Sequence, residues 1–341
     1  MIGAVDTMIA NPPSNKAYLY RQLPSCQAFS AKGDPITIGL INNMPDAALL
    51  STERQFSELL SRAAENVPVC IRFFSFPELR IEAAGQPRSR LHHEDIRELW
   101  TGRFDGLIVT GTEPRAHSLR EEPCWPSLSR LVDWAEDRGV STVWSCLAAH
   151  AAVLHRDGID RRLLPNKLSG VFDCVRADEH IILDGAPPRW RVPHSRHNGL
   201  SEEALVAKGY RILSRSSDTG ADTFIKQEKG LAIFFQGHPE YDAGALLREY
   251  RRDIGRFLAG ERDNYPAIPS GYFDEAAAGK LAAFRERAES DRRIDLLSVF
   301  PAAEVEQQLV DHWRDPSVRL YANWLAYLRS AKIAKAEAGR S

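Results

Sequence analysis

Cys146 stands where an apolar run, Val140-Ser141-Thr142-Val143-Trp144-Ser145, passes directly into the small-residue stretch Leu147-Ala148-Ala149-His150-Ala151-Ala152. A side chain at so sharp a strand-to-helix turn is held out at the edge of a sheet. The start of the helix supplies unpaired N–H groups and the positive end of its dipole, conditions that favour ionisation of a thiol there. The N–H of Leu147 would then face a developing oxyanion. Taken alone, the position suits a buried small hydrophobe equally well, because free cysteine is often buried. The glycines that usually flank a nucleophile elbow are also missing, with only the small Ser145 and Ala148 in their place. A second segment adds weight. Leu231-Ala232-Ile233-Phe234-Phe235 reads as a strand and runs into Gln236-Gly237-His238-Pro239-Glu240-Tyr241-Asp242. An imidazole with a carboxylate two residues on can turn one ring nitrogen to a thiol and the other to the carboxylate, the arrangement of nucleophile, base and orienting acid.

The elements that must position these groups alternate in kind. Short apolar runs at 36–41, 67–74, 104–111 and 140–145 are of buried-strand length, and helical spacing fills 47–63, 126–138 and 147–155. Such alternation predicts an α/β fold, a mainly parallel sheet flanked by helices. Beyond about residue 166 shorter extended pieces at 168–176, 210–216, 221–226 and 231–236 predict a short antiparallel extension. Residues 241–259 and 303–334 read as helices. In such a sheet sites form beyond the carboxyl ends of the strands. Residues 42–46, 111–115, 145–147 and 236–242 reach that edge.

The chain has 341 residues, enough for one large or two modest domains, and is 43% apolar and 26% charged. We expect an N-terminal extension over 1–34, a main α/β domain over 35–265, and a C-terminal helical segment over 266–341 packing on it. A net charge of −2 argues against nucleic-acid or anionic-membrane binding by bulk charge. No apolar run approaches a membrane span, and the N-terminus lacks the pattern of a secretory signal. Five cysteines with no C-x-x-C pair argue against a disulfide framework or a zinc site of that type, so a cytoplasmic protein with mostly reduced thiols is expected. No metal is expected either. For His92-His93, and for His150 with His155, no carboxylate or cysteine completes a ligand set at helical spacing.

Six ordered motifs carry a family resemblance: Asn43-Met44-Pro45, Thr52-Glu53-x-Gln55-Phe56, Phe104-Asp105-Gly106-Leu107-Ile108-Val109-Thr110-Gly111, Lys167-Leu168-Ser169-Gly170-Val171, Pro193-His194-Ser195-Arg196, and Gly237-His238-Pro239-Glu240-Tyr241-Asp242. With them the chain resembles the homoserine O-succinyltransferase family, whose fold is like that of class I glutamine amidotransferases (flavodoxin-like). The likeness runs from Ile36 to Tyr265, with a weaker echo at Tyr321-Ala322-Asn323-Trp324-Leu325. The resemblance implies a cysteine acyl-enzyme: Cys146 attacks the thioester of an acyl-CoA, His238 is the general base, and Glu240 orients it. It places Lys167, Ser195 and Arg252 at the amino-acid acceptor. Arg252 suits that role physically, since a guanidinium grips a carboxylate through two hydrogen bonds. It further implies acyl-CoA as co-substrate with no bound cofactor, small-molecule substrates only, and a homodimer serving methionine biosynthesis.

Two departures stand out. The family follows its Asn-x-Met-Pro with two lysines, the second near the oxyanion; here Asp46 and Ala47 take their places. Backbone N–H groups near Gly111 and Leu147 are the expected substitutes. The family also has Thr-Gly-Ala-Pro before a position linked to the acyl donor, where Gly accompanies succinyl-CoA and Glu accompanies acetyl-CoA. Here Thr110-Gly111-Thr112-Glu113-Pro114 is followed by Arg115. Its charge suits a donor with a free carboxylate, so succinyl is favoured over acetyl, while Glu113 could neutralise Arg115 or take the acetyl-selecting role. Transfer to homoserine is the expectation. A serine-type acceptor, a glutamine amidotransferase-like hydrolase, and a non-catalytic protein on the same scaffold are the competing readings.

Overall fold

The computed structural model describes residues 34–65, 67–79 and 92–338. Nearly all of the expected N-terminal extension, residues 1–33, lies outside them. In chain order the elements are β1 (Ile36–Ile41), α1 (Asp46–Ala64), β2 (Val69–Phe74), α2 (Ile96–Thr101), β3 (Gly106–Val109), α3 (Trp125–Asp137), β4 (Ser141–Ser145) and α4 (Leu147–Asp157). They continue as β5 (Arg162–Arg176), β6 (Arg189–Gly199), α5 (Glu202–Ala207), β7 (Arg211–Ser216), β8 (Gly220–Gln227), β9 (Leu231–Phe235), α6 (Ala245–Leu258), α7 (Glu275–Ser290), α8 (Ala302–Glu306) and α9 (Arg314–Ala338).

Nine strands form one sheet in the order β2-β1-β3-β4-β9-β8-β7-β5-β6. The first five are parallel, and the rest join antiparallel from β9 outward. The parallel strands are apolar on both faces because helices cover both. Along β3 and β4 the faces alternate. Leu107, Val109 and Trp144 enter a core with α3 and α4. Ile108 and Val143 enter a second core with Phe56 and Leu60 of α1 and with Tyr321, Trp324 and Leu325 of α9. The α9 helix therefore belongs to the main core. Trp324 is fully buried, and its indole Nε1–H donates to Ser141 Oγ at 3.0 Å. Trp324→Ala should cost about 3–5 kcal/mol, the usual range for emptying so large a site, and chemical denaturation checks it.

Four differences from the sequence reading stand out. Strand β6 was not expected. Its inward positions alternate, but they carry His194 and Arg196 beside Trp190 and Val192, and Pro193 interrupts the run. An edge strand tolerates that proline. The helix expected over 303–334 is two helices, 302–306 and 314–338. Helix α7 lies inside the expected C-terminal helical segment but was not delimited within it, because its buried stripe is only Ala277, Leu281, Phe284 and Ala288. Cys124, Cys146 and Cys174 are free thiols, whereas Cys70 on β2 is disulfide-bonded, which the expectation of reduced thiols did not include. No helix among the described residues is long and apolar enough to cross a membrane.

Candidate active site

Strands β4 and β9 are parallel neighbours, with Ser145 beside Phe235. Their C-terminal continuations therefore lie side by side, which brings residue 146 next to residues 236–238 across some ninety positions of sequence. The Cys146 N–H donates to the Phe235 carbonyl at 2.8 Å. Its backbone has φ +52° and ψ −114°, and a residue with a Cβ adopts so positive a φ only where its surroundings enforce it. Strained, it turns the chain from β4 into α4 in one step. Cys146 is half-buried, while Cys124 and Cys174 are fully buried. That separates it from the small-hydrophobe reading. Burial, and then the Glu122 charge, pushes the Cys124 thiol up to about 11. Burial first, helped by Asp222, pushes the Cys174 thiol higher still.

The loop after β9 is anchored at each residue. The Gln236 N–H donates to the Asp222 carbonyl (2.9 Å) and the His238 N–H to the Pro193 carbonyl (2.8 Å). The Gly237 N–H donates to Asp222 Oδ1 at 3.2 Å. A Cβ on Gly237 would come within 2.6 Å of Val192 Cγ1 and 2.7 Å of Asp222 Oδ1, so only glycine fits there. His238 is thereby held with Nδ1 at 2.9 Å from Glu240 Oε1, and its ring stacks on Tyr241 at 4.2 Å. Ser145 Oγ–H also donates to Glu240 Oε1 (3.3 Å). Burial alone would lower the pKa of His238. The charge of Glu240, then the charge and hydrogen bond of Cys146, outweigh it and raise the imidazole well above its ordinary value. The ring faces the sulfur, to which it is hydrogen-bonded.

The expected oxyanion groups meet as well. A Cβ on Gly111 would lie 3.1 Å from the Leu147 nitrogen, so the loop after β3 and the start of α4 converge there. The loop is held by Asn43, whose N–H donates to Thr110 Oγ1 at 2.8 Å and whose Nδ2 donates to the Thr110 carbonyl at 3.3 Å. Gly111→Ala would press a methyl group onto that N–H. We expect kcat to fall by about 10²–10³-fold, the cost of losing one oxyanion donor, with little change in melting temperature. Steady-state kinetics beside thermal denaturation checks this.

The positions expected at the acceptor gather on two carboxylates of α6 that the sequence reading did not single out. Lys167 Nζ lies 2.6 Å from Asp253 Oδ2 and 3.8 Å from Glu249 Oε2. Ser195 Oγ–H and the Tyr241 hydroxyl both donate to Glu249. Arg252 reaches Asp253 Oδ1 at 3.2 Å. Burial would raise the Glu249 carboxyl, but Lys167 and Arg252 outweigh it and hold the group below its usual range. Glu249 and Asp253 are four residues apart on one helix face, amid arginines that read as solvated charge. Nothing local marked them.

Glu113 is bound to Arg256 of α6 by contacts of 2.6 and 2.9 Å. It ties the loop after β3 to the helix that carries Arg252. Arg115 is exposed, and Glu122 Oε1 accepts its backbone N–H at 2.8 Å. Two more cations, Arg161 and Arg196, stand close enough to Cys146 for its charge to act on them, although burial lowers the pKa of both. They bring positive charge to a site whose Asp46 and Ala47 bring none. His150 is buried and neutral, lowered to about 3 by burial first and Arg196 second, with Nε2 at 3.0 Å from Gln236 Oε1. His155 pairs with Asp133 at 2.7 Å.

A half-exposed thiol at a strained elbow, an imidazole facing it and a buried carboxylate behind the imidazole stand in the order of a nucleophile, a base and an orienting acid, on an α/β fold. The homoserine O-succinyltransferase family model matches residues 21–334, and the chain belongs to that family. The homoserine O-succinyltransferase of Rhodopseudomonas palustris is 46% identical over 301 residues, 88% of this chain and 90% of the relative. That of Methylorubrum extorquens is 44% identical over 301 residues, 88% and 89% of the two chains. Among solved structures, a glutamine amidotransferase from Methylobacillus flagellatus is similar over 86% of this chain and 94% of its own, with 15% identity and a TM-score of 0.49.

Proposed function

We propose that the protein transfers an acyl group, succinyl in preference to acetyl, from acyl-CoA to the hydroxyl of L-homoserine through a thioester on Cys146. The observation that carries this reading is the Cys146–His238–Glu240 geometry, beside a polar cluster suited to an amino acid. The Cys146 thiolate attacks the thioester carbonyl, Gly111 and Leu147 N–H groups receive the oxyanion, and CoA leaves with a proton from His238. The acceptor hydroxyl then gives its proton to His238 and attacks the enzyme thioester, and the Cys146 thiolate departs. Arg252 and Lys167 offer positive charge to an α-carboxylate, and Glu249 offers a carboxylate to an α-ammonium. Arg115 supplies a cation on the acyl-donor loop for the free carboxylate of a succinyl group.

The sign of the His238 shift suits both half-reactions. Negative charge on the Cys146 sulfur, when it is a thiolate, raises the proton affinity of the imidazole. Acylation consumes that thiolate, so the histidine's proton affinity falls when it must act as a base. Imidazole NMR titration should show His238 titrating above the ordinary histidine range in the free enzyme and lower in Cys146→Ala. No difference between the two would contradict the coupling.

Crossing succinyl-CoA and acetyl-CoA with homoserine and serine, while following CoA release, tests the function. Succinyl-CoA with homoserine should turn over fastest. Faster turnover with acetyl-CoA would remove the role given to Arg115, faster turnover with serine would reassign the acceptor, and CoA-independent hydrolysis of glutamine would overturn acyl transfer itself.

A further inference from the structure

Glu53, on the face of α1 turned toward β2, meets two consecutive histidines that precede α2. His92 Nε2 lies 2.6 Å from Glu53 Oε2, and His93 Nε2 lies 2.6 Å from Glu53 Oε1. One donor atom from each of the three residues falls within 4.8 Å of the others. The group is held from behind. His93 Nδ1 is 3.1 Å from Ser75 Oγ, Asn42 Nδ2 donates to Glu53 Oε1 at 3.2 Å, and the Phe73 carbonyl accepts the Glu94 N–H at 2.9 Å. The Phe73 ring packs against both imidazoles. None of the three residues takes part in the acyl-transfer steps described above.

We propose that Glu53, His92 and His93 bind one divalent transition-metal ion of the zinc class. Two imidazoles and a carboxylate are a donor set suited to such ions, and they leave room for water in the coordination shell. In the empty site the Nε2–H groups donate to Glu53; an ion would displace those protons, and Ser75 Oγ, 3.1 Å from His93 Nδ1, could then accept from Nδ1–H and fix the tautomer that turns the Nε2 lone pair to the metal. Bond lengths of about 2.0–2.2 Å need the rings to withdraw from the carboxylate by less than about 1 Å. His92, 16% exposed at its side chain, gives the ion an entry path, while His93 and Glu53 are enclosed. Among the described residues a second group of this kind, Cys174, His194 and Asp222, is buried throughout. Its Asp222 already accepts from Ser214, Thr223 and Gly237.

The test uses the full chain as its Cys146→Ala variant, so that the active-site thiol cannot compete for metal. Zn²⁺ is titrated by calorimetry in two buffers, and Co²⁺ by its visible d–d absorption. One equivalent should bind, with proton release and a rise in melting temperature. Glu53→Gln and His92→Gln should each weaken binding by more than the about 10–100-fold expected for Ser75→Ala, which removes only an outer partner. His93→Gln changes an enclosed ring, so the more exposed His92 carries the test should that variant fail to fold. Absence of saturable binding overturns the proposal, as does affinity unchanged in Glu53→Gln and His92→Gln. Loss of binding in Cys174→Ser instead would move the ion to the buried group and also overturn it.

Discussion

Cys146→Ala should lose acyl transfer by on the order of 10⁴–10⁶-fold in kcat, the scale on which nucleophile removal acts in enzymes of this design. The protein should remain folded. Alanine accepts the φ of +52° no worse than cysteine does, and the turn is fixed by the Cys146 N–H bond to Phe235 rather than by the thiol. The same variant should lose selective alkylation. Cys124 and Cys174 are enclosed, and burial raises both thiols, so iodoacetamide should reach Cys146 first in the native protein. Full activity in Cys146→Ala, checked by CoA release, would assign the chemistry to another group.

His238→Ala should slow both half-reactions, each by about 10⁴-fold or more, since one imidazole serves as acid to the leaving thiolate and as base to the incoming hydroxyl. Rapid-quench measurement of thioester formation and of its transfer to homoserine separates the two. The Cys146→Ala and His238→Ala changes together should cost little more than the larger alone, because the groups act as one unit. A variant that forms the thioester at the native rate but transfers it slowly would confine His238 to the second step.

How far the sequence foretells this site depends on where the chemistry lies in the chain. The elbow and the His-x-Glu motif are local, each sitting at the end of an apolar run, and both are readable. Their meeting follows from β4 and β9 being neighbours, which alternation of strands and helices only suggests. The parallel half of the sheet is legible because β1, β3 and β4 bury both faces and show as continuous apolar runs. Strand β6 is hidden because His194 and Arg196 occupy inward positions that pattern reading reserves for apolar residues. Glu249 and Asp253 look like ordinary helix-surface acids until Lys167 and Ser195 arrive from β5 and β6. The Glu53, His92 and His93 group is invisible for the same reason, its members lying on separate elements about forty residues apart. The sequence reading found no carboxylate for those histidines, because spacing along one helix cannot reveal a partner on another.

Intact-protein mass spectrometry after brief exposure to succinyl-CoA, with no acceptor present, bears most directly on the covalent mechanism. One succinyl group should appear on the protein, map to the peptide containing Cys146, and vanish on addition of homoserine. An unmodified protein that still releases CoA when both substrates are present would contradict it, because transfer would then proceed without the cysteine ever carrying the acyl group.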